Sequence, residues 1–272
     1  MLTFLNFVDN YSWTLLTSIT LLLAVSAFAG KYMRGKRPEH DTVMDDELKI
    51  VLGATLSLFG LLIGFILSFA ISGYNMRAAA EENEAVAIGN AFQRTTLLAK
   101  ESHQDLAEKL LHEYLSLRIQ FFETPDDDER ARIRQESIQK QTHMWHLVSQ
   151  LAKDNPNPVM ATVLNASNEL YTAQQKTMAS WRHQIPGAAW VMLVVFAICS
   201  NFLIGYNVRG KRGSDVLLMV VPAITALALF MISEIDVPGK GVIHVTPYNL
   251  EAVRITLDKG GLVPEDNLVL SH

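Results

Sequence analysis

A long stretch without charge decides which folds are open to this sequence. It runs from Ile50 to Arg77, and no charged residue lies between Lys49 and Arg77. At about 1.5 Å per residue, a helix of this length crosses a hydrocarbon core of roughly 30 Å. The stretch therefore predicts a transmembrane helix.

Small residues recur along this helix at steps of three and four. They are Gly53, Ser57, Gly60, Gly64, Ser68 and Ser72. Such a stripe lets two backbones approach closely inside a membrane, so it predicts tight packing against other helices.

A line of bulky residues runs beside the small ones, with Leu61, Phe65 and Phe69 at i, i+4 and i+8. Residues at this spacing share one side of a helix. That side faces lipid, a neighbouring helix or the axis of an oligomer, and the residues alone leave the three options open.

Composition indicates a multipass membrane protein. Of the 272 residues, 49% are hydrophobic, and they cluster in charge-free runs, as in multipass membrane proteins. A net charge of -5 without a basic tract argues against a nucleic-acid partner. The single cysteine, Cys199, allows no intramolecular disulfide.

Three further apolar runs predict three more spans, at Thr14 to Gly30, Ala188 to Tyr206 and Val216 to Ile232. Basic residues follow the first and third of these four spans in chain order. They are Lys31, Arg34, Lys36 and Arg37, then Arg209, Lys211 and Arg212. The positive-inside rule predicts that both short loops are cytoplasmic, which puts the segment between the second and third spans and the C-terminal tail outside.

Amphipathic helical periodicity fills residues 73–185, so we expect a soluble insert of three or four helices. The fold class is thus an all-α membrane protein, divided into a first helix pair (1–72), the insert (73–185), a second pair (186–233) and a polar tail (234–272). In the tail we expect a strand at Val242 to Val245 and a short helix from Pro247 through Leu257.

Two helix starts in the insert have local signals. Ser102 is the expected N-cap of a helix whose core-facing stripe is Leu106, Leu110, Tyr114, Leu117 and Phe121. Asn157 followed by Pro158 predicts an N-cap and a proline at the first helical position of the last insert helix.

No motif for catalysis or cofactor binding occurs. The sequence lacks a nucleotide loop, a nucleophile elbow, a kinase set and a zincin motif, so we predict no catalytic residue, no cofactor and no enzyme. His143 and His146 lie one turn apart, but no Cys or carboxylate pair completes a zinc site, so exposed helix histidines are expected and no metal. The acidic run Asp126 to Glu129 is interpreted as a solvated helix start and not a calcium loop.

Charged residues cluster where the second membrane helix leaves the bilayer, at Arg77, Glu81, Glu82, Glu84 and Arg94. Either they pair along the helix surface, or they form charged rings at the mouth of a pore in a symmetric oligomer. Two interpretations are also open for the bulky line. It either packs between helices or forms a hydrophobic constriction that gates by dewetting.

Two segments carry a family resemblance. The first is GFILSFAISGYNMRAAAEENEAVAIGNAFQRTTLL, from Gly64 to Leu98, and the second is SEIDVPGKGVIHVTPY, from Ser233 to Tyr248. In the first, the matching positions are Glu84, Ala85, Ile88, Gly89, Ala91, Arg94, Leu97 and Leu98. With the order of two spans, helical insert, two spans and tail, these segments resemble the bacterial bestrophin-like membrane proteins, long catalogued as a domain of unknown function.

The resemblance extends more distantly to the bestrophin channels. It implies a homopentamer in the bacterial inner membrane that conducts inorganic ions, with the second helix lining the pore. Leu61, Phe65 and Phe69 would form the constriction, with the following Arg77, Glu81 and Glu84 at the pore mouth. In bestrophins the insert is cytoplasmic, whereas the loop charges here place it outside, and both orientations stay open. A non-conducting scaffold or sensor, whose soluble helices bind a partner, is the alternative function.

Overall fold

The computed structural model describes residues 2–35, 42–208 and 214–258, and every regular element in these ranges is an α-helix. The helices are α1 (Leu2–Arg34), α2 (Thr42–Thr95), α3 (Glu101–Glu123), α4 (Asp127–Asp154), α5 (Pro158–Trp181), α6 (Gly187–Asn207), α7 (Ser214–Asp236) and α8 (Tyr248–Asp258). The strand predicted at Val242 to Val245 is wrong, because these residues form bends and irregular backbone. The predicted tail helix is confirmed as α8.

Four helices are long and apolar enough to cross a membrane. Their spans are Ser12–Arg34, Asp46–Thr95, Gly187–Asn207 and Leu218–Asp236. The all-α fold with four transmembrane helices is therefore confirmed. Five of the loop residues on which the predicted orientation depends, Lys36, Arg37, Arg209, Lys211 and Arg212, lie outside the described residues.

Local capping chemistry explains where α4 and α5 begin. The Asp126 carboxylate accepts hydrogen bonds from the backbone N–H groups of Asp128 and Glu129 at the start of α4. Asn157 accepts from Met160 N, with Pro158 in the first turn of α5, as predicted. The predicted Ser102 cap is wrong, since α3 starts at Glu101 and its N-cap, Lys100, makes no side-chain cap.

The chain divides into two compact units. Unit 1 consists of Met1–Tyr74 and Gln184–His244, and unit 2 of Asn75–His183 and Val245–His272. Residues 234–244, which the sequence analysis assigns to the tail, belong to unit 1.

Unit 1 has an apolar core built from its membrane helices. The core residues are Leu23, Phe59, Leu193, Ala197, Ala226 and Leu229. Helices α1 and α6 come closest together at two glycines. A Cβ on Gly30 would lie 2.1 Å from Phe202 O, and one on Gly205 would lie 1.8 Å from Ala27 O. Only glycine fits at these two positions, because any side chain would overlap the facing backbone.

Unit 2 packs the C-terminal part of α2 with α3, α4, α5 and α8 around a second core. Among its fully buried members are Ile88, Leu111, Tyr114, Phe122, Ile133, Leu170 and Leu250. The buried side of α3 is centred on Leu111, Leu115 and Arg118, whereas Leu106 of the predicted stripe is exposed. The predicted stripe is therefore rotated from the true one, although Tyr114 and Phe121 belong to both.

Candidate functional site

Helix α2 has the largest uncovered surface of the four membrane helices. Of its most apolar 18 residues only 6% are buried within the chain, compared with 28%, 22% and 39% for the other three spans. One side of α2 packs into unit 1 through Phe59 and Ala70, which are 5% and 1% exposed. The opposite side is not covered by any other part of the chain that the structure describes.

The uncovered side of α2 has a definite chemical order. Leu61 is 56% exposed and Phe65 is 65% exposed. Ser68, Ser72 and Asn75 follow on the same side and are also exposed. We call these five residues the outward line of α2. A step of three or four residues brings the helix back to one side, so the line is continuous along the surface.

The two serine hydroxyls of the outward line have no acceptor within the described part of the chain. In α1, by contrast, the Thr17 and Thr20 hydroxyls donate to backbone carbonyls one turn earlier, each at 2.8 Å. A hydroxyl that faces hydrocarbon without a hydrogen bond is unfavourable. The outward line thus suits contact with water or with another polar surface.

Phe69 does not share the exposure of Leu61 and Phe65. It is half-buried and packs beside the cluster of Ala70, Ile185, Ile232 and Ile235 in unit 1. Each residue turns the helix by about 100°, so i+8 lies about 80° from i. Phe69 therefore lies at the edge of the outward line and packs within the protomer.

The small-residue stripe is not packed against any of the described residues of the other helices. Gly53, Gly60, Gly64 and Ser68 are exposed, and a Cβ on any of the three glycines would meet nothing within 4 Å. The close helix approach that the stripe predicts occurs at Gly30 and Gly205 instead. On α2 the stripe is open to a further helix.

The three residues expected at a pore mouth lie on the opposite, buried side of α2. Arg77, Glu81 and Glu84 are 3%, 2% and 0% exposed. Their positions lie roughly 140–200° around the helix from Leu61. Burial within one protomer contradicts a place in rings that face an axis, and each side chain has partners in unit 2 that explain its burial.

Glu84 is the centre of a buried polar network. Its Oε1 accepts hydrogen bonds from Arg118 Nε at 2.6 Å and Tyr114 Oη at 2.7 Å. Its Oε2 accepts from Thr177 Oγ1 at 2.7 Å and from Arg118 Nη2 at 3.1 Å. These bonds join α2 to α3 and α5 in the core of unit 2.

The electrostatics of this network follow from its burial. Arg118 and Glu84 are both 0% exposed. Burial is the largest single influence and lowers the pKa of Arg118, but the interactions with Glu84 and Tyr114 together outweigh it, so the pKa is raised. Burial, with the negative charge of Glu84, raises the pKa of Tyr114 well above its ordinary value. The pair is thus a salt bridge beside a neutral phenol.

Glu81 and Arg77 make further contacts in unit 2. The Glu81 carboxylate accepts from Leu250 N at 2.9 Å and from Asn249 Nδ2 at 2.7 Å. It therefore caps the first turn of α8, where backbone N–H groups lack helical partners. The Arg77 guanidinium donates to His183 O at 3.4 Å.

The second segment of the family resemblance covers the end of α7 and the turn that follows it. Asp236 Oδ1 accepts from Ile185 N at 2.8 Å, ahead of the start of α6. Glu234 accepts from Ser12 Oγ at 2.8 Å and from Val242 N. A Cβ on Gly241 would lie 2.6 Å from Glu234 O, so the turn requires glycine there. Both carboxylates have structural partners.

His143 and His146 are exposed on α4. Among the described residues, no three His, Cys, Asp or Glu side chains are grouped so that they could hold a metal ion.

Comparison with known proteins gives the family. The bestrophin-like domain matches residues 17–250. The chain belongs to the bestrophin-like family. The family resemblance predicted from the sequence is thereby confirmed, and the chain is a multipass membrane protein of that family. No curated protein matches the sequence.

Three solved structures share the fold, and each is described as the crystal structure of a membrane protein. A proline-to-alanine variant has a TM-score of 0.63 at 12% identity and covers 93% of this chain and 99% of its own. A serine-to-alanine variant has a TM-score of 0.59 at 13% identity, with the same coverages. A glycine-to-alanine variant has a TM-score of 0.57 at 13% identity, covering 92% and 98%. At these identities the likeness concerns the fold alone.

Proposed function

We propose that this bestrophin-like protein is a homo-oligomeric ion channel of the bacterial inner membrane, with α2 lining the pore. The observation that supports it is the outward line, where Leu61 and Phe65 are followed by Ser68, Ser72 and Asn75, all uncovered within one chain. Pentameric assembly is the state that the family resemblance suggests.

In a symmetric oligomer, the polar side chains of the outward line need not face lipid. If α2 faced lipid, three polar side chains would lie against hydrocarbon or headgroups without partners. If α2 faces a common axis, the same side chains contact water and ions. Leu61 and Phe65 then form an apolar ring, and apolar rings gate by dewetting.

This proposal revises the residues expected from the sequence. The constriction keeps Leu61 and Phe65, while Phe69 is assigned to packing within unit 1. Asn75 replaces Arg77 at the pore mouth, since Arg77 is buried. Glu81 and Glu84 leave the proposed pore for the same reason. Gly53, Gly60 and Gly64 are assigned to contacts between neighbouring copies.

The proposed orientation places the basic loops in the cytoplasm and unit 2 outside, following the positive-inside rule. Cys199 is exposed, so labelling starts from a Cys199→Ser background. Single cysteines at Lys36, Lys211 and Asp127 are then labelled with an impermeant thiol reagent in intact cells. We expect labelling at Asp127 only, and labelling at Lys36 and Lys211 only would show the bestrophin orientation.

Matched phenylalanine variants test the pore. Phe65→Ala should raise the current in planar bilayers with symmetric KCl and leave the oligomer intact, because it removes bulk from a ring without emptying a packed site. Phe69→Ala should leave the current per channel unchanged and lower thermal stability by about 2 kcal/mol, part of the cost of a fully buried Phe.

Three results would oppose the proposal. If Phe65→Ala loosens the oligomer with no change in current, Phe65 packs between helices. If native mass spectrometry in detergent finds only monomer, no axial pore exists. An intact oligomer without current in either variant would favour the scaffold or sensor.

A further inference from the structure

Two surface recesses flank α2 in unit 2, on either side of its uncovered face. The first, the α8 cleft, has a volume of about 790 Å³ and lies between α2, α3 and α8. Its walls include Glu82, Gly89, Glu108, His112, Val253 and Leu257. The second, the α5 groove, has a volume of about 390 Å³ and lies between α2 and α5. Its walls include Asn83, Asn90, Asn165, Asn168, Thr172 and Lys176.

The two recesses share the ridge that separates them. Val86 and Asn90 line both, and Val86 is 57% exposed. Glu82 lines the cleft and Asn83 the groove, since adjacent residues point about 100° apart on a helix. A neighbour that approaches α2 from one side therefore meets the cleft, and one from the other side meets the groove.

The recesses carry opposite charge. Glu82 and Glu108 line the α8 cleft, and neither pairs with a cation within the described part of the chain. In the α5 groove, Glu169 is neutralised by Arg94 at 3.1 Å. Lys176 has no counter-ion among the described residues. The cleft is therefore acidic and the groove basic.

We propose that the α8 cleft of one copy of this chain binds the α5 groove of the next, with Lys176 of one copy beside Glu82 of its neighbour. This inference rests on the proposed oligomer, and it adds how neighbouring copies meet in unit 2. Two different surfaces of one chain make a heterologous contact, which closes into a ring when the rotation per copy allows. Complementary charge on the two surfaces fixes the direction of packing and opposes a two-fold contact, in which Glu82 would meet Glu82.

Disulfide trapping tests the contact directly. In the Cys199→Ser background, a chain with both Glu82→Cys and Lys176→Cys should form a ladder of cross-linked species up to the complete ring on oxidation. Chains with only one of these cysteines should not cross-link to themselves, whereas a co-assembled mixture of the two should give dimers. A self-linked Glu82→Cys chain, or an intact oligomer without any cross-link, would overturn the inference.

Charge reversal gives an independent measurement. Glu82→Lys or Lys176→Glu alone should increase dissociation on dilution by roughly fivefold to tenfold, since an attraction becomes a repulsion. The double variant should restore assembly, because the pair is only exchanged. Glu101→Lys and Lys153→Glu are the controls, because both residues are exposed and line neither recess. Equal effects in controls and test variants would refute the contact.

Native mass spectrometry of the unmodified protein distinguishes a failure of the proposed channel from a failure of the proposed interface. A monomer would remove the proposed channel and this interface together. An oligomer whose Glu82 and Lys176 variants behave like the controls would remove the interface and leave the channel standing.

Discussion

Removal of Arg118 from the buried network should be among the most destabilising single changes in unit 2. The Arg118→Met variant keeps an unbranched side chain of similar length but leaves the Glu84 carboxylate, which is 0% exposed, without its cation. Loss of one member of a buried pair costs about 3–5 kcal/mol, because a buried charge remains uncompensated. Tyr114 and Thr177 still donate to the carboxylate, so we expect the lower half of this range.

The matched control is Arg132→Met on α4. Arg132 pairs with Glu136 at 2.7 Å, but its side chain is 59% exposed, and exposed pairs contribute about 0.2–1 kcal/mol. Thermal unfolding in detergent, followed by helical circular dichroism, should lower the Tm of Arg118→Met by roughly 6–12 °C and that of Arg132→Met by at most a few degrees.

A double variant separates charge from shape. Glu84→Gln with Arg118→Met removes both charges, and such replacement of a buried pair is often close to neutral. We expect it to recover at least half of the stability that Arg118→Met loses. If Arg118→Met were no worse than Arg132→Met, or if the double variant were as unstable as the sum of its single changes, the buried pair would not have the role assigned to it.

Three further predictions concern other contacts. Gly205→Ala should lower stability by about 1–3 kcal/mol in detergent unfolding, since its Cβ would overlap Ala27 O, whereas Gly60→Ala should leave the stability of the single chain unchanged. Tyr114 has a pKa well above 10 in the folded chain. Above about pH 10 the unfolded chain therefore loses the tyrosine proton first, and the unfolding free energy falls as pH rises. Measured over the same pH range, the unfolding free energy of Tyr114→Phe should fall less steeply. Glu81→Ala should cost about 1 kcal/mol and speed amide exchange in α8 with no change in α5, because the cap of α8 is lost.

Much of the fold is predictable from local signals in the sequence. The four spans follow from charge-free length, and the start of α5 follows from Asn157 and Pro158, because a cap and a first-turn proline act within three residues. The N-cap predicted at Ser102 is wrong because α3 begins one residue earlier, at Glu101, with Lys100 at the N-cap position and no side-chain cap. A capping pattern alone does not decide which of several neighbouring residues starts a helix.

The burial of Arg77, Glu81 and Glu84 has a reason already present in the sequence. At about 100° per residue, Arg77, Glu81 and Glu84 point away from the side that carries Leu61. The charge cluster and the bulky line therefore lie on different sides of the same helix. Asn75, which shares the side of Leu61, is uncharged, so a prediction based on charged rings does not include it.

The partners of Glu84 could not be predicted, because they come from α3 and α5, far along the chain. Arg118 is the residue that signals a buried acidic partner. It lies among the apolar positions Leu111, Leu115 and Phe122 on a helix that must bury one side. A basic residue in such a position requires a buried acid. The sequence does not say which of the many acidic residues supplies it.

The contrast between the two sides of α2 bears on how a pore built from it would open. In unit 2, the buried side of α2 is bonded to α3 and α5 through Glu84 and to α8 through Glu81. Rotation of α2 by a single residue, about 100°, would take both carboxylates away from their donors and leave them buried without partners. That cost, several kcal/mol for each carboxylate, opposes rotation of the helix as a gating motion. Among the described residues, the side chains of Leu61 and Phe65 have no hydrogen-bonded partners of this kind. Opening of the proposed pore is therefore expected from their rotamers and from wetting of the ring they form, with α2 itself held in place.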